Sequence, residues 1–268
     1  MRFDILTIFP EFFTGILDHG VLKRAVANHL LEIHRHDLRD FTHDRHRTVD
    51  DRPFGGGEGM VLKPEPLIEA IESLGVAPKS SRDSKRESVI LLSAQGAKFT
   101  QNTARELSTL ERVVLICGRY EGVDERVNEL ACDRELSIGD YVLSGGELAA
   151  AVILDTVMRL IPGALGNEAS SANESFGQPD ADFAQDADAP PRSTHGAGGL
   201  LDYPHYTRPA EFRGIAVPEV LAGGNHDQIR QWRRQRALEK TLKNRPDLLE
   251  KADLSREDRE FLRKLGSG

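Results

Sequence analysis

The chain has 268 residues, 39% of them hydrophobic, which is enough for a substantial core in one large or two modest domains. Its formal net charge of -8 excludes a protein that binds polyanions over its whole surface, so any nucleic-acid surface must be local. The only two cysteines, Cys117 and Cys132, exclude a disulfide framework and a four-cysteine zinc site.

The composition predicts a cytoplasmic protein that does not cross a membrane. Asp4 places an acid inside the first apolar run, unlike a signal peptide. No uninterrupted apolar run approaches the ~20 residues of a membrane span. The low cysteine content fits a reducing compartment.

Apolar runs and helical spacing alternate through the first 161 residues. This alternation predicts an α/β domain with a mainly parallel sheet. Residues 37–60 show no periodicity and are long for a loop in a compact domain, which predicts a functional loop or a mobile cover. The predicted elements are, in order, strand 3–9, helix 11–30, strand 31–36, aperiodic loop 37–60, helix 64–74, polar connection 79–87, strand 89–92, turn 93–96, helix 100–110, strand 112–117, helix 124–131, a strand near Leu136 and helix 147–161.

Glycine-bearing turns follow three of these strands, after Leu92, Cys117 and Leu136. Ligands bind beyond the carboxyl ends of parallel strands, so the three turns are expected to converge on one site. The last predicted helix, 147–161, is apolar nearly all round, which predicts that it is largely buried.

The third turn, Ser137–Glu147, combines glycines with small apolar side chains. Its exposed backbone groups suit the base edge of an adenosine-like ligand, with Ile138, Tyr141 and Leu143 as walls. The turn lacks the spacing of a dinucleotide-binding fingerprint and the ending of a P-loop. The alternative is a strand-to-helix turn that carries glycine for geometry alone.

The loop at 41–52 is dense in His, Arg and Asp. Arg45, Arg47 and Arg52 suit bidentate contacts to phosphate or to a base edge. A surface salt-bridge network is one alternative. A metal site formed by His43, His46 and Asp50 is another, although the interleaved arginines would repel a cation.

After Pro162 the character of the chain changes. Residues 177–199 are rich in Asp, Ala, Pro and Gly, which predicts a flexible acidic linker or insertion. A helix is predicted over 225–245, which carries seven basic residues and only two acidic ones. This cluster predicts a surface for a phosphate backbone, and the alternative is a solvated charged face. An amphipathic helix is predicted over 254–265.

Three groups are candidates for acid–base or electrostatic chemistry. The spacing of Asp155 and Arg159 favours a local ion pair, and the alternative is an arginine steered toward a developing negative charge. Glu168 and Glu174 precede the acidic segment, and either is a general base if it folds over the site or a solvated linker residue if it does not.

Four segments together resemble the bacterial tRNA (guanine-37-N1) methyltransferases. They are Phe41–Met60, Gly118–Arg126 (GRYEGVDER), Ser137–Glu147 (SIGDYVLSGGE) and Pro204–Pro209 (PHYTRP), and the resemblance extends over nearly the whole chain except the acidic insertion. It implies a SPOUT-type α/β fold, in which a parallel sheet carries a C-terminal trefoil knot and a small helical C-terminal domain follows. It also implies a homodimer with the methyl-donor site at the interface. The implied domains are a catalytic domain at 1–165, a linker with the acidic insertion at 166–200, and a helical tRNA-binding domain at 201–268.

By matched position, the resemblance implies S-adenosylmethionine as methyl donor, a requirement for Mg²⁺ at a position that is not implied, and tRNA with guanine at position 37 as substrate. Arg159 is the implied catalytic arginine. Glu174 falls where the family has its catalytic aspartate, and its side chain is one methylene longer than that of aspartate. Ala94 and Ala149 stand at two positions where the family usually has proline. The implied donor contacts are Leu92, Gly118, Glu121, Ile138, Gly139, Asp140, Tyr141, Val142, Leu143, Gly145 and Gly146. The expected tRNA contacts are Arg45, Arg47, Arg52, Ser175, Arg233 and Arg234.

Two other functions stay open from the sequence. One is a non-catalytic tRNA-binding protein in which the glycine-rich turn is only a fold element. The other is a related methyltransferase of the same class that acts on another base or on a ribose hydroxyl.

Overall fold

The structure is a computed structural model that describes residues 1–166, 174–177 and 198–266. The chain divides into two compact units, Met1–Gly166 and Asn167–Gly268. No helix within the described ranges is both long and apolar enough to cross a membrane. The predicted linker at 166–200 lies mostly outside the described residues, so the predicted division of the chain into domains stays a prediction.

The first unit contains a parallel sheet of five strands in the order β2-β1-β6-β5-β7. A separate antiparallel pair joins β3 and β4. The strands are β1 (Arg2–Thr7), β2 (Glu32–Asp37), β3 (Asp50–Asp51), β4 (Val61–Leu62), β5 (Glu87–Lys98), β6 (Arg112–Cys117) and β7 (Arg134–Ser137).

Three helices of the first unit begin where the sequence supplies a cap or a proline. Thr100 caps α4 by accepting a hydrogen bond from the Thr103 amide, and Asp124 caps α5 by accepting one from the Arg126 amide. Pro64 opens α3. The helices are α1 (Thr14–Leu17), α2 (Gly20–Ala27), α3 (Pro64–Ser73), α4 (Gln101–Ser108), α5 (Glu125–Ala131) and α6 (Glu147–Met158), with 3-10 helices at Pro10–Phe13, Leu38–Phe41 and Lys79–Ser81.

The sheet is covered on both faces because successive strand side chains point to opposite sides. In β6, Val113 and Leu115 belong to one buried cluster, with residues of α2, α4 and α6. Val114 and Ile116 belong to the other, with residues of α3 and α5. These layers confirm the predicted α/β fold with a parallel sheet.

Two predicted elements were wrong in extent. The single helix predicted over 11–30 is three short segments, interrupted where His19 is extended and Gly20 has φ +65°. β5 continues to Lys98 instead of ending at Leu92, with a register shift against β7 between Leu92 and Ala97. A Cβ on Gly96 would lie 2.5 Å from the Leu136 nitrogen, so a glycine is what lets the strands approach here.

The burial predicted for the helix at 147–161 is only partly correct. α6 ends at Met158, and its Ile153, Leu154 and Val157 are fully buried in the core. Leu148 and Val152, however, stand one turn apart and are 48% and 45% exposed. α6 therefore has one apolar edge that the rest of its unit does not cover.

The second unit is mainly helical in its described part. Its residues 174–177 form a turn against the segment that starts at Gly198, since the Phe176 amide donates to the Leu200 carbonyl at 3.0 Å. The elements are a hairpin of β8 (Glu211–Phe212) and β9 (Ile215–Ala216), then α7 (Glu219–Ala222), α8 (His226–Asn244), a 3-10 helix (Pro246–Leu248) and α9 (Arg256–Gly266).

Candidate active site

A pocket lies at the carboxyl edge of the sheet. Its walls come from the loops after β6 and β7 and from the register-shifted part of β5. They enclose a cavity of about 210 Å³. The structure thus brings together all three of the turns that the sequence predicts to converge.

Glycines allow the loop walls to approach each other closely. The Gly146 amide donates to the Gly118 carbonyl at 2.8 Å. A Cβ on Gly146 would lie 2.7 Å from the Cys117 Cα, and a Cβ on Gly145 would overlap Arg119 Nε. These two glycines are required by contact with neighbouring atoms, because neither has a positive φ.

A buried carboxylate lies behind these glycines. Glu147, the first residue of α6, is 1% exposed. Its Oε1 accepts from Thr7 Oγ1 at 2.7 Å, and its Oε2 pairs with Arg119 Nη2 at 3.0 Å. Arg119 Nη1 also donates to the Ser144 carbonyl at 3.1 Å. Sequence reasoning missed the pair of Arg119 with Glu147. The one available signal was Glu147, an acidic residue at the start of an otherwise apolar helix.

The pocket wall includes ten of the eleven residues that the resemblance implies as donor contacts. The exception is Asp140, which is 89% exposed and pairs with Lys98 Nζ at 2.9 Å. Two lining residues that sequence reasoning missed, Glu125 and Glu135, add carboxylates to the wall. The ten are Leu92, Gly118, Glu121, Ile138, Gly139, Tyr141, Val142, Leu143, Gly145 and Gly146.

The aperiodic loop at 37–60 ends against this pocket. The Glu121 amide donates to the Met60 carbonyl at 3.0 Å, and a Cβ on Gly59 would lie 2.5 Å from Glu121 Cγ. Tyr120, on the pocket wall, has its pKa raised by partial burial and by the charge and hydrogen bond of Asp50. The arginine-bearing loop is therefore attached to the wall of the cavity.

Within this loop, the three predicted arginines differ in their surroundings. Arg45 and Arg52 are exposed, and their guanidinium groups make no hydrogen bond or ion pair with residues of the described ranges. Arg47 pairs with Asp40 and donates to the Arg39 carbonyl at 3.1 Å. Arg45 and Arg52 are thus the two best placed to contact an anionic ligand.

The metal alternative for this loop finds no support in the geometry. His43 Nε2 lies 2.8 Å from Glu69 Oε2. Asp44 accepts hydrogen bonds from the backbone and side chain of Thr48, which lower the pKa of its carboxyl. In the part of the chain that is described, no group of three or more His, Cys, Asp or Glu side chains is arranged to hold a metal ion.

The two implied catalytic residues belong to different units. Arg159 directly follows α6, and its amide donates to the Asp155 carbonyl at 3.2 Å. Glu174 begins the turn at 174–177, where Ser175 Oγ accepts from the Asp202 amide at 3.0 Å. Glu168 lies outside the described residues. The roles of Arg159 and Glu174, and an ion pair between Asp155 and Arg159, stay predictions.

In the basic helix α8, part of the predicted positive charge is neutralised within the unit. Arg234 pairs with Asp258 at 2.8 Å, with side chains 17% and 7% exposed, and this contact joins α9 to α8. Arg233 stacks over the Tyr203 ring at 4.9 Å. Three further arginines, Arg230, Arg236 and Arg245, also pair with nearby acids.

The fold and the pocket define an α/β protein with a ligand site at the carboxyl edge of a parallel sheet. Residues 1–251 match the family model described as tRNA (Guanine-1)-methyltransferase TrmD. The chain belongs to this family.

Relatives match the chain over almost its full length. The tRNA (guanine-N(1)-)-methyltransferase of Koribacter versatilis (strain Ellin345) is 60% identical over 268 residues, covering 100% of this chain and 99% of the relative. The protein of the same description from Geobacter metallireducens is 48% identical with the same coverage. That of Moorella thermoacetica is 50% identical over 99% of this chain and 96% of the relative.

Proposed function

We propose that this protein transfers a methyl group from S-adenosylmethionine to N1 of guanine 37 in tRNA, next to the anticodon. Its family makes it a tRNA (guanine-N1) methyltransferase. The methyl donor and the target position go beyond the family name. The observation that carries the donor assignment is the pocket between the loops at 118–123 and 137–146.

The pocket residues fit this donor. Leu92, Ile138 and Leu143 supply apolar walls for an adenine ring, and Gly145 and Gly146 leave backbone groups accessible. Carboxylates on the wall, Glu121 among them, suit ribose hydroxyls and favour a cationic ligand. When bound, the donor supplies a methyl group on a positively charged sulfur.

The chain's own residues would then handle a proton and a negative charge. Guanine N1 carries a proton at neutral pH, and its lone pair is exposed only when a base removes that proton. Glu174 is the proposed base, on the strength of the resemblance. Arg159 is proposed to stabilise the negative charge that grows on guanine O6.

The tRNA is proposed to contact both units. Arg45 and Arg52 are exposed on the loop whose end contacts the pocket wall, and they suit phosphate or a base edge. Arg47, Arg233 and Arg234 remain proposed contacts because their segments are basic, and Ser175 remains one by resemblance, although the structure engages several of them in local interactions. The target base must leave its stack to reach a pocket, as other enzymes that modify bases require.

We also infer a homodimer whose interface includes the donor site, a trefoil knot, and a cytoplasmic location. Leu148 and Val152 are exposed on α6, and Val142 is exposed on the pocket loop; exposed apolar side chains of this kind suit contact with a second copy. The close crossing of the Gly118 and Gly146 loops suits a knotted chain, a rare exception to unknotted topology. The resemblance further implies Mg²⁺, and no step is assigned to it.

One assay distinguishes the candidate functions. Unmodified tRNA carrying G36-G37 is incubated with the protein and tritiated S-adenosylmethionine, then digested to nucleosides. Label in N1-methylguanine supports the proposed reaction. Label in a ribose or in another base would identify the related methyltransferase, and tRNA binding without label would identify a binding protein.

A further inference from the structure

Thr7, Glu147, Arg119 and Ser144 form a continuous set of contacts from the sheet to the pocket loop. The Phe9 amide donates to Thr7 Oγ1 at 2.9 Å, and the Thr7 hydroxyl donates to Glu147 Oε1 at 2.7 Å. Arg119 donates from Nε to Glu147 Oε2 at 3.0 Å and from Nη1 to the Ser144 carbonyl at 3.1 Å. The chain of contacts thus ends on the backbone of the glycine-rich loop.

We propose that Arg119 and Glu147 are positioning residues, which hold the Ser144–Gly146 segment in the conformation that binds the methyl donor. The inference rests on the proposed function only in taking S-adenosylmethionine as the ligand of this pocket. Nothing in the family resemblance or in the sequence motifs assigns a role to either residue.

The pair is suited to this role because its carboxylate is desolvated and fully engaged. Both Glu147 oxygens accept hydrogen bonds, and the residue is 1% exposed. Arg119 is also fixed from the other side, since its Cζ lies 4.6 Å from the centre of the Phe9 ring. Removing Arg119 leaves the buried Glu147 carboxylate uncompensated, so the positions of the two side chains are tightly coupled.

The coupling reaches the loop through backbone and steric contacts. Arg119 and Gly145 form an antiparallel bridge, and a Cβ on Gly145 would lie 2.6 Å from Glu147 Oε2. The loop therefore packs directly on the ion pair. If the guanidinium moves, the Ser144 carbonyl loses its donor and the Gly145 backbone loses its support.

The test compares the full-length protein with Glu147→Gln, Arg119→Gln and the double variant. Arg86→Gln is the matched control, because Arg86 and Glu111 form a bidentate pair at the amino end of the sheet, away from the pocket. Two quantities are measured: hydrogen exchange of the amides at 137–146 without ligand, and the Kd for S-adenosylmethionine by calorimetry.

We expect each single variant to speed exchange of these amides and to raise the donor Kd about tenfold or more, as for loss of a charge-assisted contact. The double variant should be no worse than the worse single, because the two residues act as a unit. The donor KM should rise while kcat at saturating donor stays within about threefold of the wild type. The reason is that the lost interaction stabilises the bound donor equally in the ground state and in the transition state. Arg119→Lys should recover binding only partly, since one ammonium cannot contact both Glu147 and Ser144.

Exchange and Kd equal to those of Arg86→Gln would overturn the positioning role, and so would additive effects in the double variant. Glu147→Gln removes the buried charge and leaves only the partly exposed Arg119 guanidinium without its partner, so Glu147→Gln decides the question even if Arg119→Gln fails to fold. A wild-type protein that does not bind S-adenosylmethionine would instead contradict the proposed function, and the exchange comparison would still decide the positioning role.

Discussion

The amide nitrogen of Gly146 lies 2.8 Å from the carbonyl oxygen of Gly118 and donates a hydrogen bond to it. This contact joins the loop after β6 to the loop before α6, and both are walls of the pocket. Since a Cβ at position 146 would be only 2.7 Å from the Cys117 Cα, the contact exists only with glycine there. The shape of the pocket therefore depends on one residue that contributes no side chain.

Gly146→Ala should weaken donor binding. The added methyl meets backbone atoms of Cys117 and Gly118, which cannot move aside as a flexible side chain could. We expect the Kd for S-adenosylmethionine to rise about tenfold or more, since overpacking costs about 1–3 kcal/mol. Gly15→Ala is the control, because a Cβ at position 15 meets nothing within 4 Å. Equal affinities for both variants would show that the two loops need not approach so closely.

Glu174→Gln should abolish most of the turnover while donor binding is retained, because the amide cannot accept the guanine N1 proton. A loss of about 10²–10⁴-fold in the single-turnover rate is expected for removal of a general base. Glu174→Asp, which restores the residue typical of the family, should keep substantial activity. A Gln variant as fast as the Asp variant would remove Glu174 from the mechanism.

Arg45 and Arg52 should carry part of the electrostatic attraction for tRNA. Replacing both with Gln should weaken tRNA binding and reduce its salt dependence, by a slope of about 0.9 for each phosphate that the protein no longer neutralises. Arg24→Gln, an exposed site on α2, is the matched control. An unchanged salt slope in the Arg45/Arg52 variant would place the tRNA on another surface.

The main effect of Arg234→Gln should be to lower the stability of the second unit. Its partner Asp258 is nearly buried and also caps the start of α9, accepting from the Ser255 amide at 2.9 Å. Losing one partner of such a pair costs about 3–5 kcal/mol. Arg230→Gln, which breaks an exposed pair, should cost about 1 kcal/mol or less. Similar melting temperatures for the two variants would indicate that the Arg234 pair does not hold α9 to α8.

Asp4 should make the stability of the first unit depend on acid pH. Burial alone would raise the pKa of the Asp4 carboxyl, but hydrogen bonds from His36, Arg2 and Arg112 outweigh it and hold the pKa well below the usual range. The resulting stabilisation is complete above the unfolded-state pKa of about 3.9 and is lost as the pH falls through it toward the folded-state pKa.

Urea unfolding of the wild type and of Asp4→Asn at two pH values tests this. At pH 7 the variant should be about 3–5 kcal/mol less stable, as when one partner of a buried ion pair is removed. At about pH 2.5, below the unfolded-state pKa, the difference should be clearly smaller. An equal difference at both pH values would assign the loss to packing alone.

Much of the fold follows from local sequence patterns. Fully apolar runs such as Val113–Cys117 predict buried strands because both faces of the sheet are covered. The helix predicted over 11–30 was wrong because helical spacing of apolar residues does not reveal the backbone break at Gly20. The extension of β5 was missed because Gly96 reads as a turn, although its role is to let β5 approach β7.

The pocket could be located from sequence because its walls are three short segments that directly follow predicted strands, although the first of them, 93–96, belongs to β5. The ion pairs could not, since they depend on distant positions. Arg119 and Glu147 are 28 residues apart and meet only when β6 and α6 pack. Arg234 reads as part of a nucleic-acid surface until Asp258, 24 residues later, is seen to engage it.

Primer extension is the most direct test of methylation at N1 of guanine 37. A methyl group on N1 blocks the pairing edge of guanine. Reverse transcription of treated tRNA, which proceeds from the 3′ end, should therefore stop at the nucleotide on the 3′ side of position 37. The stop should require S-adenosylmethionine and should be absent when position 37 carries adenine or when Glu174→Gln replaces the wild type. Full-length extension after treatment with the wild-type protein and the donor, or a stop at another guanine, would contradict the account.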